Sequence, residues 1–398
     1  MKVGILTFHS QLNYGGVLQC WALQEALRSM GHDVFVVDRR LTPCHKMFGG
    51  IVPMYGMKEW IKWSIRALTC HGDFAWLRRC LLTSRFIKQN LRLTPYNFYD
   101  WAEAPADLKI DILVVGSDQV WHCGDWGDPF VYLLYGAPNG IPAIAYAASF
   151  GMSSLPEYIS DSVTMSERIL ARPVFCDGLS RFRHISCREK MGVGICKGLG
   201  FTAAHVVDPT LLALYHSTPC TDVPIKEDRL VCYFMGIDVR EVIFELEQFA
   251  KEYKCRVKVL IDATLIPFSK TFSEMLNNIL WTLRTMGSCV DVVRGAGPMD
   301  FLHLFKSAKW VISDSFHALM FSIIYRCDVR VLTPTSDFRR RLFSRISEFA
   351  EQATGPILVA SVKDAIRSFK SGEVVSFNHK WIQRRVDYSR RWIEESLK

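Results

Sequence analysis

Apolar and polar positions along this chain switch repeatedly between a strand-like and a helical period, and the switches mark out an alternating strand–helix order. Residues 2–8 open with the apolar run Val3-Gly4-Ile5-Leu6, which reads as a buried strand. From 15 to 31, Val17, Leu18, Trp21, Ala22, Leu23 and Leu27 return at helical spacing. Gly31 then accepts the left-handed conformation in which helices end. Asp33 to Asp38 is a second strand, so the opening segment predicts a right-handed βαβ unit with parallel strands. Helices are predicted within 57–92, strands at 111–116, 141–147 and 184–186, and short alternating elements over 160–206. A polar, proline-containing stretch from Thr218 to Asp228 reads as a linker. A second series follows: strand 229–235, helix 239–254, strands 256–261 and 289–293, and a Gly295/Gly297/Pro298 turn into a helix ending at Ser307. Strand 310–312, a helix to Tyr325 and strand 329–332 complete it, and an amphipathic basic helix starts near His379.

The predicted class is α/β, with two doubly wound, Rossmann-like parallel sheets facing a cleft. Residues 1–217 form the first domain and 218–375 the second, and 376–398 form a helix free to pack back on the first. With 398 residues, the chain exceeds one ordinary core. Its hydrophobic share of 49% supplies two. No apolar run approaches the roughly 20 residues that cross a bilayer, and the opening strand does not resemble a secretory leader. The expected location is the cytoplasm, extending to the inner face of the membrane. The 13 cysteines are scattered singly without a Cys-x-x-Cys pair. They read as free thiols in a reducing compartment rather than disulfides or metal ligands. His122-Cys123 lacks a second pair at ligand spacing, so no metal is expected.

The net charge of +8 is uneven. Between Met57 and Arg92, eight basic residues face two acids, and Trp60, Trp63 and Trp76 lie among them. Two readings stay open: a surface that docks on an anionic membrane, or helices with a solvated basic side and tryptophans in the core. No nucleic-acid motif accompanies the charge, and nucleic acid is not an expected partner.

In open parallel sheets, ligands bind beyond the carboxyl ends of the strands. Four strand ends here carry unusual polar content. Asn13-Tyr14-Gly15-Gly16 lies between a strand and a helix N-terminus, where free N–H groups and close backbone approach favour a ligand. A tight turn without a ligand is the alternative. It matches neither the Gly-x-Gly-x-x-Gly fingerprint nor a P-loop. Ser117-Asp118-Gln119 follows a buried strand, where Asp118 either orients a hydroxyl or caps a turn. Arg188, at the start of a helix, opposes the helix dipole. It therefore suggests either a nearby anion or a pair with Glu189. In Ser313-Asp314-Ser315-Phe316-His317, the histidine falls in the first turn of a helix, where it either moves protons or serves structure.

These segments occur in one order with Ala145-Tyr146-Ala147-Ala148-Ser149-Phe150-Gly151 and Asp208-Pro209-Thr210. From residue 1 to about 350, the chain resembles the polysaccharide pyruvyl transferases. The resemblance implies a GT-B-like fold and transfer of the pyruvyl unit of phosphoenolpyruvate to a sugar of a bacterial cell-surface polysaccharide such as a capsule or exopolysaccharide. A pyruvate ketal forms and phosphate leaves. No cofactor is implied beyond the donor substrate, and the glycan acceptor is either free or lipid-linked. The implied catalytic residues are His317, Arg188 and Asp118. Asn13, Tyr14, Gly15, Gly16, Ser117, Gln119, Ser315 and Phe316 are the implied substrate-binding residues. The family's Arg-x-His signature falls on Ser315-Phe316-His317, so the histidine is present and the arginine is not. Arg188 would then clamp the donor, joined by Arg330 or one of 339–341. Two other classes remain: a GT-B glycosyltransferase that uses a nucleotide sugar, with Glu274 or Asp300 on its ribose, and a non-catalytic glycan-binding or scaffold protein.

Overall fold

The computed structural model describes residues 1–39, 74–123, 129–160, 168–215, 226–261, 276–277, 280–281, 283, 288–333 and 346–398. The first sheet contains β1 (Lys2–Leu6), β2 (Asp33–Arg39), β3 (Leu93–Phe98), β4 (Ile112–Val115), β5 (Ala143–Ala148), β8 (His184–Cys187) and β9 (Ala204–His205). Its order is β3-β2-β1-β4-β5-β8-β9, and every pairing is parallel. In the chain segment between β5 and β8, a separate small antiparallel ladder pairs β6 (Tyr158–Ser160) with β7 (Arg168–Leu170). The second sheet contains β10 (Glu227–Phe234), β11 (Arg256–Ile261), β12 (Val290–Val293), β13 (Ala308–Ser313), β14 (Asp328–Leu332) and β16 (Leu358–Val359), in the order β12-β11-β10-β13-β14-β16. All of its pairings are parallel too. A two-stranded antiparallel ladder, β15 (Ala353–Thr354) with β17 (Ser376–Phe377), precedes the last helix.

The central strands β1, β4 and β5 are apolar along most of their length, because helices cover both faces. Helix α1 (Tyr14–Ser29) follows β1 after the loop of residues 7–13, with Asn13 as its N-cap. The second domain repeats the device, and the helix Phe316–Ile324 starts beyond β13. Both starts lie on carboxyl edges, and these two edges face each other.

One apolar core is continuous across the two sheets. It joins Val17 and Leu23 of α1 to Phe301, Phe305 and Phe321 of the second domain. Tyr14 crosses the boundary: its ring packs on Tyr233 and Phe301, and its hydroxyl donates to the Ala296 carbonyl at 3.1 Å. The helix Phe74–Asn90 fastens the same junction. Arg79 is buried, 3.9 Å above the Tyr14 ring, and donates to the carbonyls of Leu12 (2.6 Å) and Ile261 (2.8 Å). Arg78 donates to the Gly295 carbonyl at 2.7 Å. The last helix, His379–Ser396, lies on the first domain, where Ser389 Oγ accepts the Val207 N–H and Trp392 packs near Tyr146.

Candidate active site

Three of the four polar strand ends follow β1, β4 and β8, which lie within four adjacent strands of the first sheet. The fourth follows β13, near the middle of the second. The fold brings all four together around one guanidinium. Arg188 is fully buried. Its Nε donates to Glu189 Oε1 (3.0 Å), its Nη1 to Asp208 Oδ2 (3.0 Å) and its Nη2 to Asp118 Oδ1 (3.1 Å). The guanidinium also lies 5.2 Å from the centre of the Phe316 ring. Burial works against its charge, but Glu189, Asp118 and Asp208 outweigh burial and raise its pKa further.

Each carboxylate is anchored a second time. Asp208 is the N-cap of the helix Pro209–Leu214, accepting from Thr210 N (3.0 Å) and Thr210 Oγ1 (2.8 Å). Glu189 accepts from Ser149 Oγ at 2.7 Å, so the segment 145–151 supplies a bracket for the cluster. Asp118 Oδ1 also accepts the Gln119 N–H, while its Oδ2 faces α1, 3.4 Å from where a Cβ on Gly16 would stand. The Asp118 backbone is left-handed at φ 72°, a conformation that Asp and Asn tolerate better than most residues. Gly116 before it, at φ 107°, lies so close to the Tyr146 carbonyl that a Cβ would stand 2.5 Å away.

His317 completes the site from the other domain. Its Nε2 lies 3.8 Å from Asp208 Oδ2. Its ring rests on the first turn of α1, where a Cβ on Gly15 would stand 2.1 Å from Nδ1. Gly15 therefore allows two helix N-termini to approach with an imidazole between them. Asn13 Oδ1 accepts the Gly16 N–H (3.3 Å) as the α1 cap. Gln119 lies against Gly151, and its Oε1 is buried without a hydrogen-bond partner among the described residues.

Other sequence-singled residues have structural work here. Ser117 is buried and donates to Gln19 Oε1 (2.9 Å), while Gln19 donates to Thr7 Oγ1 and the Gly16 carbonyl. This network shapes the turn rather than the cleft surface. Tyr14 is spent at the domain junction. Ser315 is the buried N-cap of its helix but makes no side-chain cap bond, and Phe316 packs in the core beneath Arg188.

Arg330 requires a correction. It is buried on β14 and donates to Ser368 Oγ, Asp328 Oδ1 and the Glu373 carbonyl, with Phe369 stacked against it. It ties β14 to the helix Val362–Lys370 and is no donor clamp. Residues 339–341 and Glu274 lie outside the described residues. Asp300 accepts the Gly297 N–H (2.9 Å) in a helix-capping role.

Sequence reasoning passed over Asp208 and Glu189 as site residues, although both stood in the ordered motifs. The signal was Arg188 itself: an arginine that opens a helix needs anions, and here the protein provides them. A buried pair at the carboxyl ends of β1 and β2, His9 Nε2 with Asp38 Oδ1 at 3.1 Å, was also passed over. Among the described residues, no group of His, Cys, Asp and Glu has the arrangement of a metal site.

The sequence profile described as polysaccharide pyruvyl transferase matches residues 13–336. UDP-N-acetylglucosamine 2-epimerase from Rickettsia bellii superposes with a TM-score of 0.53 at 10% identity, covering 100% of this chain and 96% of its own. The Neisseria meningitidis UDP-GlcNAc 2-epimerase bound to UDP-GlcNAc gives 0.49 at 11% identity, covering 100% and 99%. At 10% identity the likeness to the Rickettsia bellii structure concerns the fold alone, two GT-B-like parallel-sheet domains. No curated protein matches the chain in sequence.

Proposed function

Because the chain belongs to the polysaccharide pyruvyl transferase family, we propose that it transfers the pyruvyl unit of phosphoenolpyruvate to a sugar of a cell-surface polysaccharide or its lipid-linked precursor. The observation that carries this reading is His317, held from the second domain on Gly15 and 3.8 Å from Asp208. It puts a proton-transferring group between two helix N-termini and beside a carboxylate cluster. The donor needs its methylene carbon protonated, which makes C2 electrophilic. A sugar hydroxyl then adds to C2, phosphate leaves, and a second hydroxyl closes the ketal. His317 supplies the proton or meets the departing phosphate. The N–H groups that open α1 and the helix Phe316–Ile324 suit the donor's negative charge.

Arg188 receives a different role from the clamp expected of it. Each of its three nitrogens already donates to a carboxylate of the protein, Glu189, Asp208 or Asp118, so the guanidinium is engaged within the fold. We assign Arg188 to holding the carboxylates in place. Asp118, through Oδ2, orients the acceptor hydroxyl, and the unpartnered Gln119 Oε1 accepts from another hydroxyl of the sugar.

The test is phosphate release from phosphoenolpyruvate that depends on a galactosyl or related glycan. His317→Ala is expected to abolish it, and wild-type turnover in that variant would remove the histidine from the mechanism. Binding of a nucleotide diphosphate sugar with no response to phosphoenolpyruvate would favour glycosyl transfer. Calorimetry that detects no phosphoenolpyruvate binding would favour a scaffold.

A further inference from the structure

Two helices on one side of the first domain present the same surface pattern. On the helix Phe74–Asn90, the exposed positions Arg78, Leu81, Arg85 and Lys88 follow one another at three- and four-residue spacing. On the last helix, His379–Ser396, the exposed positions Lys380, Arg384, Tyr388 and Arg391 do the same. Each stripe thus carries one large side chain, Leu81 (51% exposed) or Tyr388 (40%), between cations one turn away on either side. The helices flank α1: Trp21 of α1 packs on Phe86, and Arg390 donates to Ser29 at the α1 carboxyl end (3.3 Å). The first helix contains no acidic residue. In the last helix, Asp387 takes the Gln383 amide, Glu394 pairs with Arg390, and Glu395 ends the stripe. Among the described residues, Arg85, Lys88, Lys380, Arg384 and Arg391 enter no ion pair, whereas Arg78 is tied to the Gly295 carbonyl and lies 3.9 Å from Asp300.

Charges held outward without partners gain nothing for the fold, whereas an anionic surface attracts them together. We propose that these two stripes form one docking face for an anionic phospholipid bilayer, with Leu81 and Tyr388 entering the headgroup region. The described part of the basic segment singled out in the sequence is half of this face. The other half comes from the far end of the chain. A leucine and a tyrosine between cations fit a bilayer interface, where apolar or amphipathic tips sit below a charged plane. A nucleic-acid duplex offers the same charge but no apolar layer for Leu81. The inference rests on charge and exposure, independently of the reaction proposed for the cleft.

The full chain is to be co-sedimented with phosphatidylcholine vesicles, and with the same vesicles doped with phosphatidylglycerol, at low and high salt. Binding is expected only to the doped vesicles, and it should weaken with salt. Each cation near such a surface contributes about 1 kcal/mol, about fivefold. The pairs Arg85→Gln/Lys88→Gln and Arg384→Gln/Arg391→Gln should therefore each weaken binding about 25-fold. Leu81→Ala with Tyr388→Ala should weaken it at unchanged salt dependence. Melting curves identify any variant that fails to fold, and the single substitutions Lys88→Gln and Arg384→Gln then replace that pair. The proposal is overturned by equal binding to undoped vesicles, by no binding to doped ones, by folded variants that bind like the parent, or by duplex DNA held more tightly than the doped vesicles.

Discussion

At the residue scale, the site depends on side chains that exclude alternatives by size and charge. Gly15 has no room for a methyl group, because the His317 imidazole occupies the space. Gly15→Ala must displace the ring, and a misplacement of about 1 Å costs about a hundredfold in rate. Turnover should fall by that order while the protein still melts as a folded domain pair. Asp118→Asn separates charge from shape. Asparagine tolerates the left-handed backbone at φ 72°, so the turn should survive while kcat falls by about two orders of magnitude. An unchanged kcat would take Asp118 out of the chemistry. Arg188→Ala leaves three buried carboxylates facing one another, and the loss of stability should be about 3–5 kcal/mol, read by denaturant unfolding. Arg188→Lys should recover only part of it, since an ammonium cannot reproduce the planar fork that reaches Glu189, Asp208 and Asp118.

At the element scale, the last helix shows how a terminal segment is held. Its N-terminal end docks through Tyr215, whose hydroxyl meets His379 Nδ1 at 2.9 Å. Burial, followed by the nearby Arg326 charge, lowers the His379 pKa below 6.5. The folded state therefore favours the neutral ring. The stability linked to it is present above the unfolded pKa of about 6.5 and is lost as pH falls through the lower folded value. Melting temperature should drop between neutral and mildly acidic pH, and His379→Gln should lessen that drop. A variant that retains the full drop would assign it to other groups. The helix Phe74–Asn90 illustrates a division of labour that its composition concealed. Of its arginines, Arg79 is buried at the domain junction and Arg78, though exposed, reaches the Gly295 carbonyl, whereas Arg85 is exposed and enters no ion pair among the described residues. A net charge along a segment does not distinguish cations that fasten domains from cations that face outward.

At the scale of the whole molecule, one apolar cluster runs through both sheets, and each sheet adds a cluster of its own on its other face. Heat or denaturant should therefore give one cooperative transition, seen at the same midpoint by tryptophan fluorescence and circular dichroism. Arg79→Ala removes the hydrogen bonds to Leu12 and Ile261 and the stacking on Tyr14. It leaves the buried Leu12 carbonyl and the part-buried Ile261 carbonyl short of donors at the junction, the buried one costing about 1–3 kcal/mol. The expected result is a lower midpoint or two separated transitions. The junction lies beside the α1 N-terminus, so the same substitution should reduce turnover without touching the proposed chemistry.

The periodicity of apolar positions was sufficient to read the α/β class, the central strands and the βα turns, because strand and helix periods depend on local patterning, whereas the edge strands β3 and β16 were not read from it. The motifs at four strand ends were equally legible, down to the histidine that starts one helix and the glycines in the first turn of α1. The partners across space were not. Asp118, Glu189 and Asp208 are separated by up to ninety positions, and only the parallel order β4-β5-β8-β9 brings them onto one guanidinium. The same order turned Arg188 from an expected grip on substrate into the centre of an internal charge cluster. Arg330, read as a cation for the cleft, was consumed by its own domain. Local sequence determines which residues a strand end presents. Tertiary packing decides which of their charges are already neutralised, and only the remainder is available to a substrate.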